Sequence, residues 1–391
     1  MKRAFEYIVV GCGGIGSATA YWLAREAGDE VLTLEQFALG HDRGGSEDHS
    51  RIIRLSYHAP EYTTLTPHTY EAWSEVEGEA GTQLVFKSGG LDLEPVEDEP
   101  EYLNHYAGAM RAANIPHEEI SAREVMDRFP QFRLDDNVRA VFQADAGLVD
   151  AARANATHGT LARTRGAMIL ENTTVREVRI VGDGVEVATD EGTFGGRRLI
   201  VAAGAWTNEV LRHVGVELPI TCTQEQVTYF RAPNLEEFSP ERFPVWIWHG
   251  GPERSFYGLP AYGVPATKSG QDVGGDVVTV NTRTFEANER VLANLRSFLE
   301  KVIPGSLGPE LHTKTCLYDM PPDREFVLGV LPEHPQISVF NGAGHGFKFA
   351  SLAGRILAEL SIHSKTQYPI GAFRVDRPAL TDPAYEPVFA M

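Results

Sequence analysis

A glycine-rich turn near the N-terminus constrains the fold more than any other feature of this sequence. The apolar residues 7–10 predict a strand that runs directly into GCGGIG at residues 11–16, and residues 31–34 predict a second strand. This order is typical of a dinucleotide-binding βαβ unit. Its glycines allow a tight turn, a close approach of the backbone to a pyrophosphate and close packing of the next helix, whose N-terminus faces the phosphate charge. The residues that we expect to contact the dinucleotide here are Gly11, Gly13, Gly14, Ile15 and Gly16.

Glu35 closes the second predicted strand. An acidic residue about 20 positions after the glycine turn hydrogen-bonds a ribose 2′-hydroxyl in such units, and it disfavours a 2′-phosphate. The pattern therefore predicts a dinucleotide other than NADP. These residues alone leave both FAD and NAD open, and they do not decide whether the nucleotide takes part in chemistry.

The composition limits the class of protein and its partners. A chain of 391 residues has room for two domains, and 42% hydrophobic and 23% charged residues are ordinary for a globular protein. A net charge of −19 opposes binding to nucleic acid, which needs clustered lysine and arginine. No apolar run approaches the ~20 residues of a membrane helix, so we expect no membrane partner. The three cysteines have neither a disulfide pattern nor metal-ligand spacing, which favours a cytoplasmic protein without a metal.

The middle and the end of the chain also carry patterns of a nucleotide-binding domain. Residues 168–170 and 175–187 predict strands, and the apolar residues 199–206 predict a buried parallel strand that ends against a cofactor. Near the C-terminus, a strand at residues 337–341 leads into a second glycine turn at residues 342–348 and then into a helix. We therefore expect the two glycine turns to belong to one cofactor domain.

Between these patterns lies a block that predicts antiparallel sheet. Residues 221–280 alternate apolar and polar side chains, and prolines break the connections between strands. We therefore predict an α/β protein, α+β overall, with a discontinuous Rossmann-like cofactor domain and an inserted antiparallel-sheet substrate domain. The predicted cofactor domain comprises residues 1–85, 146–220 and 312–391, and the predicted substrate domain comprises residues 86–145 and 221–311.

Three short motifs spread along the chain point to a family with this organisation. They are RIIR at residues 51–54, CLY at residues 316–318 and GHGFK at residues 344–348. Together and in this order they resemble the monomeric sarcosine oxidase family, a group of FAD-dependent amine oxidases that includes N-methyltryptophan oxidase and pipecolate oxidase. The resemblance extends over nearly the whole chain. It implies bound FAD and the two-domain architecture of D-amino-acid oxidase.

The resemblance implies a role for each matching residue. Cys316 would carry the flavin through a thioether to its 8α-methyl group, a reaction that needs a thiolate and would be helped by a low pKa of the thiol. Arg54 and Lys348 would hold the carboxylate of an amino-acid substrate, because two fixed cations would orient the carbon to be oxidised. Lys268 would activate oxygen by stabilising developing superoxide.

Further candidates surround these residues. Tyr257 and Tyr318 match two active-site tyrosines of the family, and Arg51 matches an arginine close to the flavin. His345 precedes the C-terminal helix, whose positive end would face the flavin pyrimidine ring. The other expected FAD contacts are Ser50, Val175, Gly204, Trp206, Gly344, Gly346, Phe347 and Lys348.

The implied reaction is the oxidation of a secondary amino acid, N-methylated or cyclic, to an imine that then hydrolyses, with O₂ reduced to H₂O₂. We expect a monomer whose partners are a small amino acid and O₂. The residues themselves leave three alternatives open: an NAD-dependent dehydrogenase, a flavin amine dehydrogenase with another acceptor, and a flavoprotein without catalysis. The first alternative gives no role to Cys316 or to the second glycine turn.

Two positions depart from the family pattern. Asp272 stands where the family commonly has a histidine, four residues after the lysine of the oxygen site. The loop at residues 46–50 reads SEDHS, whereas the family version is rich in histidine. An aspartate near the flavin would change the charge of the pocket and the preference for amines. The sequence therefore leaves the amine substrate open.

Overall fold

The computed structural model describes residues 2–46, 48–96, 102–251 and 253–387. The helices in these ranges are α1 (Gly14–Ala27), α2 (Pro60–Thr63), α3 (Thr66–Ala80), α4 (Tyr102–Ala112), α5 (Ala122–Arg128), α6 (Ala151–Thr164), α7 (Thr207–Leu211), α8 (Glu289–Val302), α9 (Ala350–His363) and α10 (Pro378–Thr381). Within the same ranges, no helix combines the length and the apolar character needed to cross a bilayer.

The strands follow each other along the chain in three sheets. They are β1 (Ala4–Val10), β2 (Val31–Leu34), β3 (Arg51–Ile53), β4 (Val85–Lys87), β5 (Gly90–Pro95), β6 (Glu118–Ser121), β7 (Val138–Gln143), β8 (Gly147–Val149), β9 (Met168–Leu170), β10 (Val175–Val181), β11 (Gly184–Thr189), β12 (Gly192–Val201), β13 (Thr221–Phe230), β14 (Val245–Trp248), β15 (Phe256–Leu259), β16 (Thr267–Gln271), β17 (Asp276–Val278), β18 (Glu310–Met320), β19 (Val327–Leu331) and β20 (His334–Asn341).

The first sheet has a parallel core. Strand β1 lies between β2 and β12, and the parallel set continues to β9 on one side and to β20 on the other. Strands β11 and β10 extend β12 as an antiparallel ribbon, and β19 pairs antiparallel with β20. Every residue of β2 is buried, as expected for a parallel strand that is covered on both faces. This eight-stranded sheet confirms the predicted Rossmann-like layer.

The predicted antiparallel block belongs to a second sheet of nine strands. Its order is β17-β13-β16-β15-β14-β5-β7-β6, with β18 also paired to β13. Neighbouring strands are antiparallel apart from β14 and β5, which are parallel. Strand β18 carries Cys316 and Tyr318, and its pairing brings both residues to this sheet. The fold class is confirmed, while the domain boundaries remain a prediction.

One element ends earlier than the sequence predicts. The strand expected over residues 199–206 stops at Val201, and Gly204–Trp206 forms a turn of 3-10 helix. Gly204 has φ of +52°, which no strand residue adopts. A Cβ atom on Gly11 would lie 2.4 Å from the carbonyl oxygen of Ala202, so the two backbone segments are in close contact. The chain therefore leaves the sheet at the point where it meets the first glycine turn.

Helices α1 and α9 follow the two glycine turns and pack against each other. A Cβ on Gly354 of α9 would lie 2.6 Å from backbone atoms of Ala18 and Thr19 on α1, so only glycine permits this approach. The turns themselves also touch, because a Cβ on Gly14 would lie 2.8 Å from the ring of Phe347. The packing of the two helices thus holds the two turns side by side.

We predict that Gly354→Ala destabilises the protein by about 1–3 kcal/mol, because the added methyl group must push α9 away from the backbone of α1. Gly78→Ala on α3 is the matched control, since a Cβ at that helical position meets nothing within 4 Å. This control should be neutral or more stable by up to about 1 kcal/mol. Denaturant unfolding of the three proteins measures both effects, and equal stability of Gly354→Ala and the wild type would contradict the packing argument.

Candidate active site

One large cavity, of about 750 Å³, lies between the two glycine turns, the loop before β3 and the nine-stranded sheet. Its size is that of a cofactor or ligand site. The predicted site residues that line it are Gly11, Gly13, Gly14, Ile15, Glu35, Ser50, Arg51, Arg54, Val175, Gly204, Trp206, Tyr257, Lys268, Cys316, Tyr318, Gly344, His345, Gly346, Phe347 and Lys348. Gly16 does not line the cavity. It packs α1 against the first turn, because its Cβ would lie 1.9 Å from the carbonyl oxygen of Gly11.

The first glycine turn and Glu35 fit the ADP half of a dinucleotide. Gly11 has φ of +95°, and α1 begins at Gly14, which lines the cavity and whose amide group donates to Ser46 Oγ at 2.9 Å. Such a helix N-terminus attracts a phosphate. The carboxylate of Glu35 accepts hydrogen bonds from the amide groups of Cys12 at 2.8 Å and Phe37 at 3.0 Å. These bonds fix the carboxylate at the cavity wall, and each of its oxygens keeps a lone pair for a ribose hydroxyl.

Cys316 lines the cavity from the nine-stranded sheet, where it lies on β18 opposite Glu225 of β13. Burial raises the pKa of its thiol to about 11, although nearby Arg51 and Lys268 lower it. The thiol is therefore protonated at neutral pH in its protein surroundings. The lowered pKa that would help attachment of a flavin is not found. The sulfur nevertheless lines the same cavity as Glu35, as a thioether to FAD would require.

Arg54 is buried and already carries a partner within the protein. Its guanidinium donates to the carboxylate of Asp92 on β5, which also accepts from Ser56 Oγ at 2.7 Å and faces His249 Nε2 at 3.0 Å. Burial raises the pKa of Asp92, but Arg54, His249 and Ser56 together outweigh this effect, so the pKa lies below its usual value. Asp92 is therefore ionised, and it holds one edge of Arg54. The Nε atom of Arg54 has no hydrogen-bond partner among the described residues.

Lys348 and His345 are joined through a tyrosine. Lys348 Nζ donates to Tyr57 Oη at 2.9 Å and to the carbonyl oxygen of His345 at 3.0 Å. His345 Nε2 lies 3.1 Å from the carbonyl oxygen of Arg324, which can only accept, so Nε2 carries the proton. His345 Nδ1 then accepts from Tyr57 Oη at 3.0 Å. Burial, followed by the charge of Lys348, lowers the pKa of His345 well below its usual value, which agrees with this neutral tautomer.

Asp272, the departure from the family pattern, also lies in the cavity wall. Both of its carboxylate oxygens are 3.1 Å from Nη2 of Arg324, a residue with 1% exposure and φ of +58°. The rings of Tyr257 and Tyr318 each pack against a glycine. A Cβ on Gly270 would lie 2.9 Å from the ring of Tyr257, and a Cβ on Gly344 would lie 2.6 Å from the ring of Tyr318. The negative charge expected from Asp272 is therefore balanced by an arginine.

Lys268 on β16 has 2% exposure and lines the cavity. Its Nζ atom lies 2.6 Å from Oδ2 of Asp48 and donates to the carbonyl oxygen of Ser50 at 2.7 Å. Burial, followed by the charge of Arg51, lowers the pKa of Lys268 to about 8, while Asp48 acts in the opposite direction. The ammonium group is therefore mostly charged at neutral pH.

Sequence reasoning missed five residues of this site, namely Asp48, Tyr57, Asp92, His249 and Arg324. Asp92 left a signal, because it is an acidic residue between two leucines in the apolar stretch Gly-Leu-Asp-Leu. A buried acid in a strand needs a cationic partner. The only sequence signal for Asp48 was its place in the loop at residues 46–50, which departs from the histidine-rich family pattern. Nothing in the local sequence of Arg324 marks it as a cavity residue.

Comparisons with known proteins agree with this geometry. The family model described as FAD dependent oxidoreductase (DAO) matches residues 6–360. The monomeric sarcosine oxidase of Streptomyces avermitilis is 34% identical over 389 residues, covering 95% of this chain and 97% of the relative. The peroxisomal sarcosine oxidase of Homo sapiens is 31% identical, covering 96% and 97% of the two chains. The N-methyl-L-tryptophan oxidase of Escherichia coli is 30% identical, covering 95% and 99%.

A solved structure shows the same fold over nearly its whole length. NikD, an unusual amino acid oxidase essential for nikkomycin biosynthesis, superposes with a TM-score of 0.85 at 28% identity, covering 95% of this chain and 98% of NikD. These comparisons confirm the predicted family, the FAD cofactor and the reaction class. The chain belongs to the family of FAD dependent oxidoreductases and is a flavin-dependent amine oxidase.

Proposed function

We propose that this enzyme oxidises a secondary amino acid, N-methylated or cyclic, to an imine that hydrolyses in water, and that O₂ is the final electron acceptor. FAD, when bound, supplies the two-electron chemistry that accepts a hydride from the amine carbon. The names of the relatives support an amino acid with an N-methyl group, since they are oxidases of sarcosine and of N-methyl-L-tryptophan. In this reaction the amine loses a hydride and a proton, and O₂ gains both electrons with two protons to give H₂O₂.

A difference in charge pairing among the buried cations carries this proposal. Arg54 is paired with Asp92, Lys268 with Asp48 and Arg324 with Asp272. Lys348, in contrast, has no carboxylate within 4 Å of Nζ in the part of the chain that the structure describes. Burial, followed by the charge of Arg54, holds the pKa of Lys348 well below its usual value.

A substrate carboxylate would supply the charge that Lys348 lacks. Buried charges are stable only when they are paired, so a bound carboxylate would favour the protonated form of Lys348. Arg54 lines the same cavity and has its Nε atom without a partner among the described residues, so it can hold the same carboxylate from another side. With the carboxylate fixed in this way, the amine and its carbon are oriented for oxidation. His345, being neutral, adds no charge that would repel the amine as an ammonium ion.

We further propose a monomer that acts in the cytoplasm. The Streptomyces relative carries the word monomeric in its name. Cys12, Cys222 and Cys316 are free thiols, as is usual in a reducing compartment.

We also propose that Cys316 attaches covalently to the flavin. Forming the bond replaces the thiol S–H and one methyl C–H by a C–S bond, and the two electrons released pass through the flavin to O₂. Burial keeps the thiol protonated, so attachment requires the thiol to lose its proton, and the charges of Arg51 and Lys268, which lower its pKa, favour the thiolate.

The attachment predicts that flavin stays with the protein after denaturation in acid. We expect a yellow pellet from the wild type and a yellow supernatant with a colourless pellet from Cys316→Ala, measured by absorbance near 450 nm. Cys222→Ala is the control, since Cys222 lies on β13 outside the residues that line the cavity. Release of all flavin from the wild type would show that the cofactor is not covalently bound.

If Lys348 binds the substrate carboxylate, Lys348→Met should lose its preference for an amino acid over the matching amine without a carboxylate. We expect kcat/KM for the best N-methyl amino acid to fall about 100-fold, because a buried charge-assisted contact is lost. The matching amine without a carboxylate should lose less than about threefold in kcat/KM. Peroxide formation measures both rates, and flavin absorbance checks that the cofactor is retained.

Lys365→Met serves as the control for this experiment, because Lys365 is exposed after the end of α9. Its rates on both compounds should match those of the wild type. An unchanged ratio between the two compounds in Lys348→Met would remove Lys348 from the carboxylate site. Flavin reduction by the amino acid without peroxide in air would show instead that the acceptor is not O₂.

A further inference from the structure

The loop before β3 contacts the nine-stranded sheet through one buried lysine of that sheet, Lys268 on β16. Lys268 contacts this loop twice, with Nζ at 2.6 Å from Asp48 Oδ2 and at 2.7 Å from the carbonyl oxygen of Ser50. Asp48 and Ser50 are themselves buried, with 3% and 1% exposure. All three residues line the cavity that also contains Cys316. The position of the Lys268 ammonium therefore depends on the loop rather than on its own strand alone.

The carboxylate of Asp48 is held from several sides. Its Oδ1 atom accepts from Tyr229 Oη at 2.6 Å and from the amide group of His49 at 2.8 Å. Tyr229 lies on β13 directly opposite Lys268 on β16. Arg51 Nη1 approaches Oδ2 at 3.7 Å. With these partners, Asp48 cannot move away from Lys268 without breaking several contacts.

Asp48 also has a backbone conformation that is unusual for a residue with a side chain. Its φ is +125°, a value that favours glycine. A strained backbone persists where surrounding contacts hold it, and it occurs often at functional sites. Here the contacts that hold it are those of the carboxylate. The loop thus keeps an acidic side chain at a position where its own backbone would favour glycine.

The charges around Lys268 explain what the carboxylate does. The positive charge of Arg51, the first residue of β3, acts on Lys268, and Lys314 on β18 lies 3.6 Å from Asp48 Oδ1 with its side chain 36% exposed. Tyr229 on β13, Tyr257 on β15 and Cys316 on β18 are neutral at neutral pH, because burial raises the pKa of each. His312, stacked on Tyr229, has a lowered pKa and is also neutral. Among the described residues, Asp48 is therefore the negative charge in contact with Lys268.

We propose that Asp48 is the positioning residue for the Lys268 ammonium, whose position and positive charge at the cavity wall depend on this carboxylate. Asp48 acts through Lys268 and not on the substrate. The inference rests on the proposed function only in that Lys268 is taken to assist the reduction of O₂. The effect of Asp48 on the pKa of Lys268 can be measured in the holoenzyme without any substrate turnover.

The first measurement is a pH titration of the flavin absorption spectrum in the holoenzyme without substrate. We expect a spectral transition near the pKa of Lys268, at about pH 8, in the wild type and its absence in Lys268→Met. In Asp48→Asn the midpoint should fall by about one unit or more, because an opposite charge at this distance shifts a pKa by about 1–3 units.

Two further variants make this titration decisive. Asp48→Gly also removes the carboxylate, and glycine suits φ of +125°, so a folded protein is expected even if Asp48→Asn is unstable. Both variants should show the same shift. Asp145→Asn is the matched control, since it removes an aspartate from an exposed ion pair with Lys87, and its midpoint should equal that of the wild type. A wild-type midpoint in Asp48→Gly would overturn the proposal.

The second measurement separates flavin reduction by substrate from reoxidation by O₂ in stopped-flow experiments. A midpoint lowered by one unit leaves about 9% of Lys268 charged at pH 8 instead of about 50%, so reoxidation in Asp48→Gly should be about fivefold slower there. Near pH 6 the two proteins should agree within about twofold. Anaerobic reduction at either pH should change by less than about twofold. A defect of the same size at both pH values would indicate structural damage and would contradict the proposed role.

The outcome for Lys268→Met distinguishes this inference from the proposed function. If Lys268→Met is reoxidised as fast as the wild type, Lys268 has no part in the reaction with O₂, and the spectral midpoints of the Asp48 variants still test the dependence. If Lys268→Met is slow but the Asp48 variants keep wild-type midpoints and rates, the role of Asp48 is wrong while the role of Lys268 stands.

Discussion

The rest of the structure depends on the close contact of backbones around α1. Gly16 lets α1 pack on the first turn, Gly11 lets that turn meet the end of β12, and Gly354 lets α9 pack on α1. Each contact would place a Cβ within 2.6 Å of a backbone atom of another segment. Because a backbone cannot yield as a flexible side chain can, these positions tolerate only glycine. Together they bring segments from both ends of the chain to one cavity.

Within that cavity, charge pairing decides which groups are available to a ligand. Three buried cations have carboxylate partners from other segments, and these pairs are Arg54 with Asp92, Lys268 with Asp48 and Arg324 with Asp272. Removing a charge from water is costly, so each of these pairs also fixes the geometry of its cation. Lys348 differs, because its hydrogen bonds go to the neutral groups of Tyr57 and His345. The cavity thus combines cations that are held in place with one that a substrate anion can complement.

Much of the cavity could be predicted because its residues stand in short motifs. The first glycine turn and Glu35 were singled out by their local spacing and Cys316 by its family motif, and all of them line the one cavity. The acidic partners could not be predicted in the same way. Asp48 and Lys268 are more than two hundred residues apart in the chain, and neither lies in a periodic pattern that indicates the other. The state of the Cys316 thiol could not be predicted from its motif either, because its pKa is set by burial, which outweighs the nearby cations.

The sequence by itself determined the nucleotide-binding unit, the order of parallel and antiparallel regions and the family. These properties follow from local patterns, since glycine spacing and hydrophobic periodicity act over a few residues. The tertiary structure alone decided which charges are paired. It showed that Asp272 is balanced by Arg324 and that Asp48 holds Lys268. Electrostatic pairing acts through space at distances of a few ångströms, so residues that are distant in the chain become partners only when the fold brings them together.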